Sequence, residues 1–332
     1  MPLRSITAMV ALLLVATPVA AAYSDKTSSG QSKYATQAGL GPSALGLPSP
    51  AASQSSQESS IASVPVSLAK RSAAKFPVPS SMAGLGDSIT RGFNACGFYF
   101  DCVERSWSTG TSREVGSHYL GLRALNPAID GKNFNDAKRG AVAADMVGQA
   151  KQAVGQKAEY ITLLIGANDA CKPTESAMTP VQTYRHQVDA ALTAIQKSLP
   201  NTRVFIASIP DIKKVWSAGR GNFVARSAWS IGKICQSMLA NPTSTAPADN
   251  ARRDRVRQRV ADYNGVLGQL CASYGRNCKF DSNAVFNHQF GVELLSNFDF
   301  FHPNGKGQQE LARITRAAGF TWNQALSPVS MV

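Results

Sequence analysis

Two short apolar runs constrain the fold of this chain more than any other feature. Residues 160–165 and residues 203–209 are rich in β-branched and large apolar side chains, without regular alternation with polar residues. Such runs are typical of strands covered on both faces, as in a parallel sheet. Segments with apolar residues at helical spacing separate and follow them, at 114–125, 141–154, 181–199, 252–274 and 307–318. The alternation predicts an α/β fold with helices on both faces of a mostly parallel sheet.

The beginning of the chain has a different composition. Arg4, an apolar stretch over 8–16 and small residues over 19–22 form the pattern of a secretory signal peptide. We therefore expect residues 1–22 to be removed and the protein to be secreted. Residues 23–75 are rich in Ser, Ala, Gly, Gln and Pro, which predicts a disordered linker. One folded domain over 76–322 and a tail over 323–332 remain.

The chain contains six cysteines, an even number that favours three disulfides in a secreted protein. Several pairings are open, and closeness along the chain favours joining Cys96 to Cys102 and Cys271 to Cys278, which leaves Cys171 with Cys235. A zinc site is the alternative. It is disfavoured because there is no C-x-x-C pair and the histidines do not cluster with the cysteines.

The formal net charge is +13, and five arginines crowd into residues 252–259. On a helix these arginines would spread over several faces, which favours a solvated surface over a nucleic-acid site. Attraction to anionic surfaces stays open as an alternative.

A Gly-Asp-Ser turn, residues 86–88, follows a short apolar run at the start of the domain. A serine at such a corner is held out from the sheet at the carboxyl edge, where ligands collect in α/β folds. The same residues also form ordinary turns, so a catalytic role for Ser88 requires a base and an orienting acid elsewhere. Asp87 is expected to shape the turn.

Two later turns offer those groups. Asp299 and His302 stand three residues apart just before the last predicted helix, so the acid could hold an imidazole that faces the serine. Asn168 follows the run 160–165, and its amide could donate to a developing oxyanion. Each pattern by itself is also typical of an ordinary turn.

Other titratable residues are assigned lesser roles. Asp169 and Asp211 also follow predicted strands and are reserve candidates for the orienting acid. His118, His186 and His288 are expected to be packing or surface residues.

Taken together, Gly86-Asp87-Ser88, Gly166-Ala167-Asn168-Asp169 and Asp299-Phe300-Phe301-His302 resemble the blocks of the SGNH (GDSL-type) hydrolase superfamily. The resemblance covers most of 82–311 and implies a three-layer α/β/α sandwich of flavodoxin-like type. It implies that Ser88 is the nucleophile, His302 the general base and Asp299 the orienting acid. It further implies oxyanion donors at Ser88 N–H, the Asn168 amide and Gly140 N–H, with no metal or organic cofactor.

Segments 104–110 and 165–171 are similar to those of phospholipase B-type lipases. The resemblance implies a monomeric secreted serine hydrolase that cleaves a lipid or other carboxylic ester through an acyl-enzyme, with no nucleic-acid partner. The alternatives are a polysaccharide O-acetyl esterase and, from another class, a non-catalytic surface-binding protein on a hydrolase scaffold. Residues 213–250 are expected to be an insertion that walls a pocket, and a disulfide between Cys171 and Cys235 would attach the Asn168 loop to it.

Overall fold

The computed structural model describes residues 76–323 and contains one five-stranded sheet in the order β2-β1-β3-β4-β5. All neighbouring strands are parallel. The strands are β1 (Met82–Gly86), β2 (Asn133–Asn135), β3 (Tyr160–Leu164), β4 (Arg203–Ile206) and β5 (Cys278–Phe280). The predicted parallel sheet is therefore confirmed. The predicted signal peptide, the linker and the tail beyond Asn323 lie outside the described residues.

Ten α-helices occur between residues 76 and 323. They are α1 (His118–Leu125), α2 (Met146–Gly155), α3 (Ala167–Ala170), α4 (Val181–Ser198), α5 (Ile212–Gly219), α6 (Phe223–Ile231), α7 (Gln236–Leu239), α8 (Pro247–Tyr274), α9 (Ala284–Asn287) and α10 (Gly305–Ala318). None of them is both long and apolar enough to cross a membrane.

Apolar side chains of the sheet alternate between two cores, one on each face. Ile161 and Leu163 of β3 belong to the core formed with α2, α4 and α8, whereas Tyr160 and Leu164 belong to the core formed with α1 and α10. All five residues of β3 are buried, as its unbroken apolar run predicted. The arrangement is a three-layer α/β/α sandwich, which confirms the predicted fold class.

The six cysteines form three disulfides, and the pairing is the one that closeness along the chain favours. Among residues 76–323, the cluster of side chains that could hold a metal ion contains two of these cysteines, Cys96 and Cys102, together with Glu104. A disulfide sulfur is not the thiolate that binds metals. The disulfides are Cys96–Cys102, Cys171–Cys235 and Cys271–Cys278.

The arginines near the start of α8 hold neighbouring loops in place. Arg253 is fully buried and donates to the backbone carbonyls of Ser244 and Asn241, at 2.9 and 2.7 Å. Arg252 donates to the carbonyl of Ala240 at 2.8 Å. The expectation of a solvated arginine surface is therefore wrong for Arg253, because nearby carbonyls compensate the cost of burying its charge.

The three other histidines lie where the sequence placed them. His118 is buried between the hydroxyls of Tyr160 and Thr315, each 2.9 Å away, and burial together with the charge of Arg316 lowers its pKa to about 3. His186 is exposed on α4, and His288 pairs with a glutamate at the surface.

Candidate active site

The corner that carries Ser88 is fixed by the end of β1. Gly86 has φ +145°, and a Cβ there would lie 2.3 Å from the carbonyl oxygen of Leu164, so only glycine fits. The side chain of Gln149 on α2 bonds both the N–H and the carbonyl of Gly86, at 2.7 and 2.9 Å. Asp87 Oδ1 accepts from the N–H of Ile89 at 2.9 Å, as expected of a turn-shaping residue. The chain therefore turns sharply at Ser88.

Helix α10, near the C-terminal end of the domain, packs against this turn. Gln308 on α10 is fully buried, donates to the carbonyl of Ile89 at 2.8 Å and accepts from the N–H of Trp107 at 2.9 Å. The loop that precedes α10 carries His302. Docking of α10 therefore brings His302 to the serine turn.

Ser88 and His302, 214 residues apart in the chain, are hydrogen-bonded in the structure. The distance from Ser88 Oγ to His302 Nε2 is 2.8 Å, and the distance from His302 Nδ1 to Asp299 Oδ2 is 2.6 Å. The structure thus brings together the hydroxyl, imidazole and carboxylate in the order that nucleophilic catalysis requires.

Asp299 is buried and accepts several hydrogen bonds. Its Oδ1 accepts from the N–H groups of Phe301 and His302, both at 3.0 Å, and its Oδ2 accepts from Asn94 Nδ2 at 2.7 Å. Burial alone would raise the pKa of Asp299, but the hydrogen bond and charge of His302 and the two backbone bonds outweigh it. The pKa lies below its usual value, so the carboxylate is ionised at neutral pH.

Asn94 is a site residue that the sequence did not indicate. It is buried, has φ +66° and donates its N–H to the carbonyl of Phe100 at 3.0 Å, which aims its amide at Asp299. A lone asparagine outside every recognised block carries no signal in a single sequence. Only the tertiary contact identifies it.

Replacing Asn94 by alanine should lower kcat for a soluble ester about 10-fold, with little change in KM. Asp299 would lose a charge-assisted hydrogen bond, whose contribution of about 1.5 kcal/mol corresponds to that factor. Steady-state kinetics test this expectation, and near-ultraviolet circular dichroism checks that the variant is folded. A raised KM at unchanged kcat would show that Asn94 has no role in holding Asp299.

The loop over residues 136–141 places Gly140 beside the serine turn. The N–H groups of Ala137 and Lys138 donate to the carbonyls of Gly84 and Gly86, both at 3.1 Å, so the loop crosses the end of β1. Gly140 has φ +72°, in the left-handed region that glycine tolerates best. Its N–H has no hydrogen-bond partner within residues 76–323.

Asn168 lies on α3 directly after β3. Its Nδ2 donates to the carbonyl of Ala141 at 3.0 Å, so the side chain lies against the Gly140 loop. A side-chain amide has two N–H donors, which leaves one for another acceptor. The N–H of Ser88 also has no partner among the described residues. Within residues 76–323, Ser88 N–H, Gly140 N–H and one Asn168 amide N–H thus have no acceptor.

The two reserve acids do not reach His302. Asp169 is buried, where desolvation raises its pKa, and its Oδ2 accepts from the N–H of Ala143 at 3.0 Å. Asp211 caps α5 through the N–H of Lys213 and forms an ion pair with Arg257 at 2.7 Å. Of these acids, Asp299 is the one that contacts the imidazole.

The serine turn also contains a carboxyl with a shifted pKa, that of Asp87. It is fully buried, and its Oδ2 has no hydrogen-bond partner within residues 76–323. Burial raises its pKa to about 6, although the N–H of Ile89 and the nearby His302 act in the opposite direction. The folded protein therefore binds this proton more tightly than the unfolded chain does.

Replacing Asp87 by asparagine should remove a pH-dependent loss of stability. The contribution of Asp87 to stability is fully present below about pH 4 and is lost as the pH rises from about 4 through about 6, because over this range the carboxyl ionises in the unfolded chain but stays protonated in the folded one. A pKa raised from 3.8 to about 6 corresponds to roughly 3 kcal/mol of unfolding free energy. Urea unfolding should show the variant more stable than the wild type at about pH 8, with little difference at about pH 4. An equal difference at both pH values would contradict the expectation.

Comparison with known proteins identifies the family of the chain. The model of the GDSL-like lipase/acylhydrolase family matches residues 85–310. A search among curated proteins found no match.

Several solved structures share similarity with the chain. An extracellular lipase from Streptomyces rimosus is 18% identical, with a TM-score of 0.44, over 72% of this chain and 99% of that chain. A family 3 carbohydrate esterase from Clostridium thermocellum is 16% identical, with a TM-score of 0.42, over 72% and 98%. Phospholipase A1 from Streptomyces albidoflavus is 16% identical, with a TM-score of 0.41, over 72% and 99%.

The matched range extends over more than half of the chain. The positions of Ser88, Gly140, Asn168, Asp299 and His302 fall within this range. The chain belongs to the GDSL-like lipase/acylhydrolase family, within the SGNH superfamily, and is a carboxylic ester hydrolase.

Proposed function

We propose that residues 76–322 form the catalytic domain of a secreted serine hydrolase that cleaves fatty-acyl esters through an acyl-enzyme. The observation that carries this proposal is the continuous hydrogen-bond chain from Ser88 Oγ through His302 to Asp299, at 2.8 and 2.6 Å. The finer resemblance to phospholipase B-type lipases stays a prediction from the sequence.

In the first half of the reaction, Ser88 Oγ attacks the ester carbonyl carbon and gives its proton to His302 Nε2. Asp299 accepts from Nδ1, which fixes the tautomer and stabilises the imidazolium. The carbonyl oxygen becomes an oxyanion that accepts from Ser88 N–H, Gly140 N–H and the free N–H of the Asn168 amide. The intermediate then collapses, and the alcohol leaves with the proton from His302.

In the second half, water replaces the alcohol. His302 Nε2 takes a proton from water as the hydroxide forms a bond to the acyl carbon of Ser88. The second tetrahedral intermediate uses the same oxyanion donors. Its collapse releases a carboxylic acid, and His302 returns the proton to Ser88 Oγ.

An apolar groove beside these residues supports a hydrocarbon acyl group. Its walls include the chain neighbours of three site residues: Ile89 next to Ser88, Ala167 next to Asn168, and Phe301 next to His302. A methylene group transferred from water into such a groove contributes about 0.8 kcal/mol. The lining residues are Ile89, Ala167, Pro210, Ile212, Val215, Phe290, Leu295, Phe301 and Pro303.

We expect acyl chains longer than acetate to be preferred. A series of p-nitrophenyl esters from acetate to dodecanoate tests this expectation. Each added methylene should raise kcat/KM up to about 4-fold until the groove is filled, as its transfer free energy implies. Val215→Phe, which narrows the groove, should move the optimum to a shorter chain. The acetate ester is the internal control, since its methyl group should be little affected by Val215.

The same panel separates the polysaccharide alternative. Acetylated xylan should be a poor substrate compared with a medium-chain ester. A preference for acetate over every longer ester, together with rapid release of acetate from xylan, would replace the fatty-acyl proposal with the O-acetyl esterase.

Secretion is proposed from the predicted signal peptide, and the three disulfides support it. Such bonds persist in oxidising compartments and are rare where thiols are kept reduced. The non-catalytic alternative is disfavoured by the family match and by the intact chain of Ser88, His302 and Asp299.

A further inference from the structure

The large hydrophobic side chains that are exposed within residues 76–323 all fall in three segments. Several are strongly exposed, with Ile231 at 84% and Phe223 at 73%. Contiguous exposed apolar surface on a soluble protein commonly marks an interaction site. The side chains are Phe98, Tyr99, Phe100 and Val103 in the first segment, Phe223, Val224 and Ile231 in the second, and Phe298 in the third.

The first segment is a short loop that Cys96 and Cys102 close with a disulfide. The rings of Phe98 and Phe100 stack on each other at 5.7 Å between centroids. Tyr99 packs edge-on against Phe93, and Phe93 packs edge-on against the His302 imidazole, both at 5.0 Å. The aromatic loop therefore stands one residue away from the catalytic base.

The second segment is α6, which follows β4 within the insertion predicted from the sequence. Trp229 anchors α6, since it is fully buried and donates Nε1–H to the carbonyl of Phe300 at 3.2 Å. The third segment, Phe298, directly precedes Asp299. All three segments thus border the loop that carries Asp299 and His302.

Positive charge accompanies the exposed apolar side chains of α6. Residues 212–235 contain five basic and no acidic side chains. Lys213 pairs with Asp254, and Lys214 donates to backbone carbonyls, Asn287 O among them. Arg220, Arg226 and Lys233 make no ion pair with another residue between 76 and 323. Arg226 donates to the carbonyl of Arg220 at 2.9 Å, and the guanidinium groups of Arg220 and Arg226 lie over the rings of Trp216 and Phe223. None of the three cations has a carboxylate partner among the described residues, so their charge is available to an anionic partner.

We propose that a docking face, made of the three segments together with Arg220, Arg226 and Lys233, binds the surface of an anionic phospholipid aggregate. Aromatic and aliphatic side chains of the three segments enter the apolar boundary, while Arg220, Arg226 and Lys233 meet lipid phosphates. The aggregate is thereby held against the opening at Ser88. The inference rests on the proposed function, because it names the physical form in which the ester is presented.

Co-sedimentation with vesicles tests the docking face. The full chain carrying Ser88→Ala is used, so that vesicle lipid is not hydrolysed. We expect it to bind phosphatidylglycerol-containing vesicles and to be released by about 1 M NaCl, which screens the charges. Phosphatidylcholine vesicles should bind it much less.

Three variants locate the binding surface. Arg220→Gln, Arg226→Gln and Lys233→Gln together should weaken partitioning roughly 100-fold, at about a factor of five per cation. Phe98→Ser with Phe223→Ser should have an effect of similar size. The control carries the substitutions Lys132→Gln, Lys157→Gln and Arg276→Gln. These exposed residues lie just before β2, β3 and β5 and are therefore at the opposite edge of the sheet. This control has the same change of charge and should bind as tightly as the parent.

Several outcomes would overturn the proposal. Absence of binding to anionic vesicles is one, and an equal loss of binding in the opposite-edge control is another, because it would mean that net charge alone acts. Sedimentation of the chain as a dimer that Phe98→Ser with Phe223→Ser dissociates would identify a second copy as the occupant.

Turnover of a soluble ester keeps the two proposals separable. With Ser88 intact, the docking-face variants should hydrolyse p-nitrophenyl butyrate at the parent rate. Vesicle binding without any ester turnover would refute the proposed catalytic mechanism and leave the docking face standing. Normal turnover without vesicle binding would refute the docking face and leave the catalytic mechanism standing.

Discussion

Replacement of Ser88 by alanine should lower kcat for a soluble ester by about 10⁴- to 10⁶-fold, because it removes the hydroxyl that we propose forms the acyl-enzyme. The residual rate over the uncatalysed reaction would come from the proposed oxyanion donors Gly140 and Asn168, which remain in the variant. A pre-steady-state assay with p-nitrophenyl butyrate in excess over enzyme measures the effect. The burst of p-nitrophenol that marks an acyl-enzyme should vanish in the variant.

A matched control is Ser198→Ala, an exposed serine at the end of α4. It should keep full activity. A fluorophosphonate probe should label the wild type and the Ser198 variant once per chain and leave the Ser88 variant unlabelled. Labelling of the Ser88 variant at another residue would identify that residue as the nucleophile and would overturn the mechanism.

Replacement of His302 by alanine should cause a loss of similar size. Without the imidazole the Ser88 hydroxyl keeps its proton, and the leaving alcohol has no acid to protonate it. Because Ser88 and His302 act as one unit, the double variant should be no less active than either single variant, within a few-fold. Steady-state rates of the three proteins measure this non-additivity.

His186→Ala, a substitution at an exposed position on α4, is the control for removing an imidazole. It should leave kcat unchanged. Normal turnover by the His302 variant would exclude this residue as the base. Losses that simply multiply in the double variant would mean that the two residues do not act in the same steps.

The sheet and helix layers of this fold could be predicted from the sequence because buried segments are rich in apolar residues. An apolar run such as 160–165 can only be a strand or helix that is covered on both faces, and its length and branching favoured the strand. Helix starts were less accurate, because local capping decides them. Thus α1 begins at His118, where Ser117 caps it, and α8 begins at Pro247, five residues before the predicted start.

The site was predictable to the extent that its chemistry lies in recognisable blocks. Ser88, Asn168 and His302 stand in or beside turns. Their residue types are common in turns for conformational reasons and are also the types that catalysis uses. Asn94 and Gln308 support the site through contacts between distant segments, and a single sequence holds no record of those contacts. Arg253 was misjudged for the same reason, because its carbonyl partners come from a loop whose path depends on the fold.

The separation of Ser88 and His302 by 214 residues also has a consequence for when activity begins. The base and its carboxylate arrive with the last loop, and Gln308 on the final helix closes the serine turn. Contacts this distant form late, since the intervening chain must be ordered first. A chain that does not yet include residues 299–308 therefore holds the Ser88 hydroxyl without its base. Ester hydrolysis at this site therefore requires that segments from both ends of the domain have folded together.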